Sequence, residues 1–230
     1  MEVFFGAFPQ CGFSVSATNL YVGRVISLGT LIAVYLSTSD EMIPVFLSES
    51  VSISVILKVL AIKVLIGIVM GILIDLIFKS KNEENAIHHM CEQDHCHCED
   101  GIVKSAIKHT INISIFILVI NIVLGLVIEL VGKENIANLL MNQTILSSII
   151  ACLIGLIPNC GASVIIAEIY VEGMIHAGTM IAGLLVGAGV GLLVLFKENH
   201  EIKENLKIVS ILYFLGLMCG IVLETIGFNL

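Results

Sequence analysis

Two short segments carry the same reactive groups at the same spacing: Pro9, Cys11, Gly12 and Ser14 in one, Pro158, Cys160, Gly161 and Ser163 in the other. Proline lacks an amide hydrogen and glycine lacks side-chain bulk, so a helix interrupted at P-x-C-G-x-S bares main-chain carbonyls and amides. Beside them each copy sets one thiol and one hydroxyl. Thiolates suit thiophilic metals and trivalent metalloids better than hard cations, and Cys11 with Cys160 would form a soft ligand pair. One copy alone reads equally well as a kinked helix with a small buried cysteine. Two copies at matched spacing favour the chemical reading.

Asn19 and Glu168 stand at equivalent places, each eight residues beyond its cysteine, and Asp75 and Glu224 also correspond. Charged groups at membrane depth are costly and usually functional. Glu168 is therefore the leading proton-coupling or cation-binding carboxylate. For Asp75 and Glu224 two roles stay open, coupling acid or interfacial structural residue, and Asp40-Glu41 is either an outer vestibule or a solvated loop. A third constellation lies between His88 and Cys98, where His88, His89, Cys91, His95, Cys96, His97 and Cys98 crowd together. Imidazole and thiolate are ligands for zinc, copper and other late transition metals, and this density exceeds what one ion can use. A regulatory or metal-collecting role fits the loop best, and no cofactor is implied beyond a transition-metal ion held there.

These groups must be positioned inside a bilayer. Of 230 residues 57% are hydrophobic and 13% charged, with no Trp, and the mean hydropathy is +1.05. A soluble domain of this size needs far more polar surface. Apolar windows run from Val51 to Phe78, Ile102 to Val131, His176 to Phe196 and Leu206 to Phe228, against a requirement of roughly 20 residues per span. The formal charge of −8 comes from short loops, which excludes nucleic acid as a partner. The seven cysteines do not form a secreted disulfide framework and fit a reducing, cytosol-facing setting.

An internal repeat organises the elements. Residues 6–33 laid over 155–182, at a constant offset of 149, are identical at 13 of 28 positions, and the offset continues through Gly67 with Gly216, Gly71 with Gly220 and Asp75 with Glu224. The counterpart of the span at Lys104 would precede Met1, so the first half is expected to be incomplete, more by truncation than by loss. Lys79, Lys81, Lys104 and Lys108 flank one loop and Lys197, Lys203 and Lys207 the other, which puts both in the cytoplasm, with the basic-free loop from Ser37 to Ser50 outside. That arrangement requires halves of opposite orientation. The expected architecture is an all-α polytopic membrane protein. It is an inverted repeat with interrupted or re-entrant helices at the paired motifs, divided into a first repeat over 1–78, a cytoplasmic His/Cys-rich loop over 79–103 and a second repeat over 104–230.

FPQCGFS with the following GTLIAVYLSTSDE, HCHC leading into AIKHT, and IPNCGAS resemble a prokaryotic permease family of ten-helix heavy-metal exporters, whose members are labelled arsenic efflux proteins or manganese transporters. The resemblance covers essentially the whole chain. It implies a multi-pass protein of the prokaryotic cytoplasmic membrane, not an enzyme, that exports an arsenite-like or manganese-like ion by alternating access, with lipid as surroundings and room for a homodimer. Two other classes remain as alternatives, a membrane metal sensor built on the His/Cys loop and a membrane thiol redox enzyme using Cys11 and Cys160.

Overall fold

The computed structural model describes residues 11–38, 42–78, 102–140 and 144–227, where every regular element is an α-helix. In chain order these are α1 (Cys11–Val22), α2 (Leu28–Ser37), α3 (Met42–Ser48), α4 (Ile53–Ile77), α5 (Ile102–Val131), α6 (Lys133–Leu140), α7 (Thr144–Gly155), α8 (Cys160–Val171), α9 (Ala177–Val186), α10 (Val190–Glu198) and α11 (Ile202–Thr225). The repeat reappears in their boundaries. Shifted by 149, both ends of α1 fall on those of α8, both ends of α2 on those of α9, and the start of α4 on that of α11.

Among the described residues five stretches are long and apolar enough to cross a membrane: Leu28–Ser48, Ile53–Ile77, Thr110–Val131, Ala177–Glu198 and Ile202–Thr225. The first and fourth are interrupted, α2 giving way to α3 and α9 to α10. The stretch from Ser37 to Ser50, expected from sequence as an outer loop, is therefore not loop throughout. Met42–Ser48 is helical, with Met42 and Phe46 buried and the Phe46 ring 6.2 Å from that of Tyr170 on α8. The polar run Ser37-Thr38-Ser39-Asp40-Glu41 falls within this stretch of sequence and makes it the least apolar of the five.

The interrupted spans form the centre. Their most apolar windows are 67% and 83% buried, against 22% for α4, 28% for α11 and 6% for the span in α5. Those outer helices turn Leu65, Ile72 and Leu76, Leu118, Ile122 and Leu130, and Phe214 and Met218 outward. Such faces are at ease in hydrocarbon.

Small residues at four-residue spacing let the backbones close up, as they do where apolar lipid gives no hydrophobic drive to helix association. A Cβ on Gly71 would meet the Gly29 carbonyl oxygen at 2.8 Å, and one on Gly67 the Ala33 carbonyl at 2.9 Å, so α2 and α4 run antiparallel in near-backbone contact. In the second half α9 and α11 pack the same way, Gly178 against Gly220 and Glu224, and Gly216 against Ala182 and Val186. Between halves the contacts are reciprocal: α1 packs on α10 and α8 on α3, α2 touches α11 and α9 touches α4, and α2 and α9 meet each other. This exchange is the pattern of a two-fold relation between the repeats.

Helices α7 and α8, of 12 residues each, are about 18 Å long, too short to span alone. Helix α7 runs parallel to α9, with Ser148 beside Thr179 and Gly155 against Gly183. After the bend at 156–159 helix α8 must come back to the start of α9 through 172–176. The two form a hairpin with Pro158 at its tip.

Candidate functional site

Helix α2 lies between two charges on one face of α4. Lys63, Gly67, Gly71 and Asp75 recur at four-residue spacing and so share the face turned to α2. At the start of α2, Asp75 accepts from the Gly29 amide at 2.8 Å and from the Ser27 hydroxyl at 2.6 Å, while Ser27 also accepts from the Thr30 amide at 3.1 Å. At its end the Lys63 ammonium donates to the Thr38 carbonyl. An anion at the positive N-terminus and a cation at the negative C-terminus both match the helix macrodipole.

Lys63 also donates to the carbonyl of Leu184, at 2.8 Å, near the end of α9. One buried lysine thus serves the C-terminal ends of two half-helices, one from each repeat. Its counterpart at the offset is Leu212, also buried, so the second half has no lysine of its own at this place.

Further polar groups gather at the same crossing. Thr18 on α1 reaches the Ser14 carbonyl at 2.7 Å, the Tyr35 hydroxyl at 2.6 Å and the Gly191 carbonyl at 3.2 Å. A threonine hydroxyl has a single hydrogen, so when Thr18 donates to a carbonyl, Tyr35 donates to Thr18. Ser14, Thr18 and Tyr35 are all buried, and a Cβ on Gly191 would meet the Ser14 Cβ at 2.9 Å and the Tyr35 ring at 3.0 Å. At the offset, Thr18 and Tyr35 become Ala167 and Leu184. The halves share a scaffold, but the first supplies these polar side chains.

The second motif shows how its break is made. Pro158 ends the link from α7, Asn159 caps α8 by accepting from the Gly161 amide at 2.7 Å, and its own amide donates to the Asn121 carbonyl of α5 at 3.2 Å. Cys160 opens the helix with a half-buried thiol, and the Ser163 hydroxyl returns to the Cys160 carbonyl at 2.8 Å. In the first motif Cys11 opens α1 in the same way. Among the described residues nothing lies within 4 Å of a Cβ built on Gly12, and its carbonyl accepts from Ser16 at 2.8 Å. Pro9, the side chain of Cys11, Asp40, Glu41 and the metal-ligand candidates His88, His89, Cys91, His95, Cys96, His97 and Cys98 lie outside the described residues. Among the described residues no three His, Cys, Asp or Glu side chains come together as a metal centre requires.

Not all sequence candidates converge. Glu168 is eight residues along α8 from Cys160, about 12 Å along the axis, so carboxylate and thiol do not bind one ion together in this arrangement. Asn19 is as far along α1, and its Oδ1 is buried without a hydrogen-bond partner among the described residues. Glu224 sits at the start of α9, where it accepts from Thr179 at 3.1 Å and Ser148 at 3.2 Å. Asp75 and Glu224 are thus helix-end acids of matching position, away from the motifs.

A second inter-repeat contact closes one end. Arg24 grips Glu204 with both nitrogens, at 2.8 and 3.1 Å, while Tyr21 donates to the same carboxylate at 2.5 Å and Asn199 at 3.1 Å. Arg24 holds a left-handed φ of 56°, and its counterpart Gly173 has φ 73°. The repeated turn demands that conformation, and the arginine tolerates it where glycine takes it freely. Sequence reasoning missed both Lys63 and this clamp. An ionisable residue near the middle of an apolar span was the available signal for Lys63; nothing local pairs Arg24 with Glu204.

A helical core of interrupted spans, wrapped by apolar helices, defines a multi-pass membrane protein. A family model described as "Putative, 10TM heavy-metal exporter" matches the chain twice, over residues 1–132 and again over 98–229, and the chain belongs to this family. The double match agrees with the duplicated helix boundaries. No curated protein and no solved structure matches the chain.

Proposed function

We propose that the chain exports a heavy-metal or metalloid ion, arsenite-like or manganese-like, by alternating access around the crossing of its two interrupted spans. The observation that carries the proposal is Lys63, one buried cation tied to the C-terminal ends of half-helices from both repeats. Interrupted helices meeting at a pseudo-symmetry axis are where secondary transporters place their sites, because irregular backbone persists at membrane depth only when buried in protein or lining a cavity.

Counting supports opposite orientation of the halves. The span α2–α3, then α4, then α5 cross once each, and the hairpin α7–α8 returns to the side it entered, so an odd number of crossings separates the start of α2 from that of α9. Both lysine-rich loops and Arg24 then face the cytoplasm, here the prokaryotic cytoplasmic membrane. The division at 78 and 104 keeps the His/Cys loop as a cytosolic metal collector. Cys11 and Cys160 are the proposed ligands for a thiophilic cargo, whereas a harder ion would use oxygens such as those of Asn19 and Glu168.

The deciding experiment loads cells lacking their own exporters with arsenite or manganese while they express the protein. Lower accumulation of one of the two is expected, and unchanged accumulation of both defeats the proposal. Replacing Cys11 and Cys160 together by Ser is expected to remove arsenite export; arsenite export at the parent rate in that variant excludes the thiols as ligands.

The Arg24–Glu204 grip is the proposed cytoplasmic gate. In inside-out vesicles, and with the other cysteines replaced, Glu204→Ala is expected to speed labelling of S14C by an impermeant maleimide several-fold. Equal labelling rates with and without Glu204→Ala remove the gate.

A further inference from the structure

The matching acids Asp75 and Glu224 have unlike surroundings, and the repeat makes each a control for the other. Asp75 is complete: one oxygen accepts from the Gly29 amide and the other from Ser27. At the offset Ser27 becomes His176, which gives α9 no side-chain cap. Glu224 accepts both of its donors, the Ser148 and Thr179 hydroxyls, on Oε2, and its Oε1 is buried without a partner among the described residues. A buried carboxylate oxygen lacking a donor is costly. Protonation of Oε1 does not cure this, since its hydrogen would in turn need an acceptor.

We propose that Ser148, Thr179 and Glu224 form a site for a hard monovalent cation of sodium's size, distinct from the cargo site. Ser148 Oγ, Thr179 Oγ1 and Glu224 Oε2 are separated by 3.3, 3.2 and 3.1 Å. Oxygens held about 2.4 Å from a hard cation lie about 3.4 Å apart at right angles, so the three already have the spacing of one coordination face. The donors are all oxygen, which excludes soft metals as the preferred occupant. One carboxylate balances one positive charge, whereas a divalent ion would leave a net charge in hydrocarbon. Glu224 lies at the positive end of α9, which matches the macrodipole of that helix, and the cation supplies the partner Oε1 lacks. The same ten-residue helix carries Thr179 near its start and Leu184, which accepts from Lys63, near its end. Ion occupancy is thereby linked mechanically to the crossing. That coupling role rests on the transport reading; the site itself does not.

The test measures thermal unfolding of the full chain in detergent at fixed ionic strength, with sodium chloride replacing choline chloride. The expected result is a saturable Tm rise of roughly 5 °C at saturating sodium, kept in Asp75→Asn and lost in Glu224→Gln. Thr179→Val and Ser148→Ala serve the same purpose if Glu224→Gln does not fold. No sodium response, a response that survives Glu224→Gln, or an equal response to calcium overturns the site. A sodium response with export unaffected by collapse of the sodium gradient overturns only the coupling. Export without a sodium response leaves the transport reading standing and removes this site.

Discussion

Lys63→Met is expected to reduce export to the level of cells without the protein. Methionine keeps much of the length and apolar character of the lysine stem but offers no donor to the Thr38 and Leu184 carbonyls. Each buried carbonyl left unsatisfied costs about 1–3 kcal/mol, and ~1.4 kcal/mol is already a factor of ten in an equilibrium or a rate. The half-helix ends also lose the charge that opposes their dipoles. A fall in Tm of several degrees is expected together with an export loss of at least about tenfold. Lys63→Arg keeps the charge but forces a larger group into a fully buried place, and should recover part of the stability and little of the export. Normal export by Lys63→Met would remove the lysine from the mechanism.

The second large effect belongs to a contact with no polar chemistry in it. A Cβ on Gly155 would stand 2.2 Å from the Gly183 carbonyl oxygen and 3.0 Å from its carbon, and backbone atoms on a packed helix cannot step aside. Gly155→Val should therefore separate α7 from α9 and cost at or above the upper end of overpacking, about 3 kcal/mol. The expected readout is a large loss of folded protein in detergent and of all export. Gly12→Ala is the matched control. Nothing among the described residues lies within 4 Å of a Cβ there, so that variant should fold like the parent. Equal yields and melting curves for the two would overturn this picture of the helix contact.

The helices and their duplication were legible in the sequence because both leave local traces. Apolar length marks a span, and pairs such as Pro9 with Pro158 and Gly29 with Gly178 hold the register at one offset. Helix boundaries then repeat at that offset to the residue for α1 with α8 and α2 with α9. The interrupted span at 28–48 was hidden because five consecutive polar or charged residues, 37–41, fall within it in the sequence, and a hydropathy window averages them into a loop. Lys63 was hidden for the opposite reason: its apolar neighbours swamp one charge, and its partners lie at Thr38 and Leu184, remote in sequence. The difference between Asp75 and Glu224 could not be read at all. Two acids at equivalent positions look alike until the donors around each oxygen are placed.

Lys63 has a further consequence because of where it stands. It lies close to the midpoint of Ile53–Ile77, hence near the middle of the hydrocarbon, where the membrane voltage drops steadily with depth. A full elementary charge crossing the membrane gains or loses about 2.3 kcal/mol per 100 mV, spread over roughly 30 Å of hydrocarbon. If the two access states differ by one helical turn in the depth of this ammonium, about 5.4 Å, 100 mV biases them by about 0.4 kcal/mol, or twofold in population. On the alternating-access proposal, the resting voltage of an energised cell then tilts, through one side chain, which side of the membrane the centre of the molecule faces.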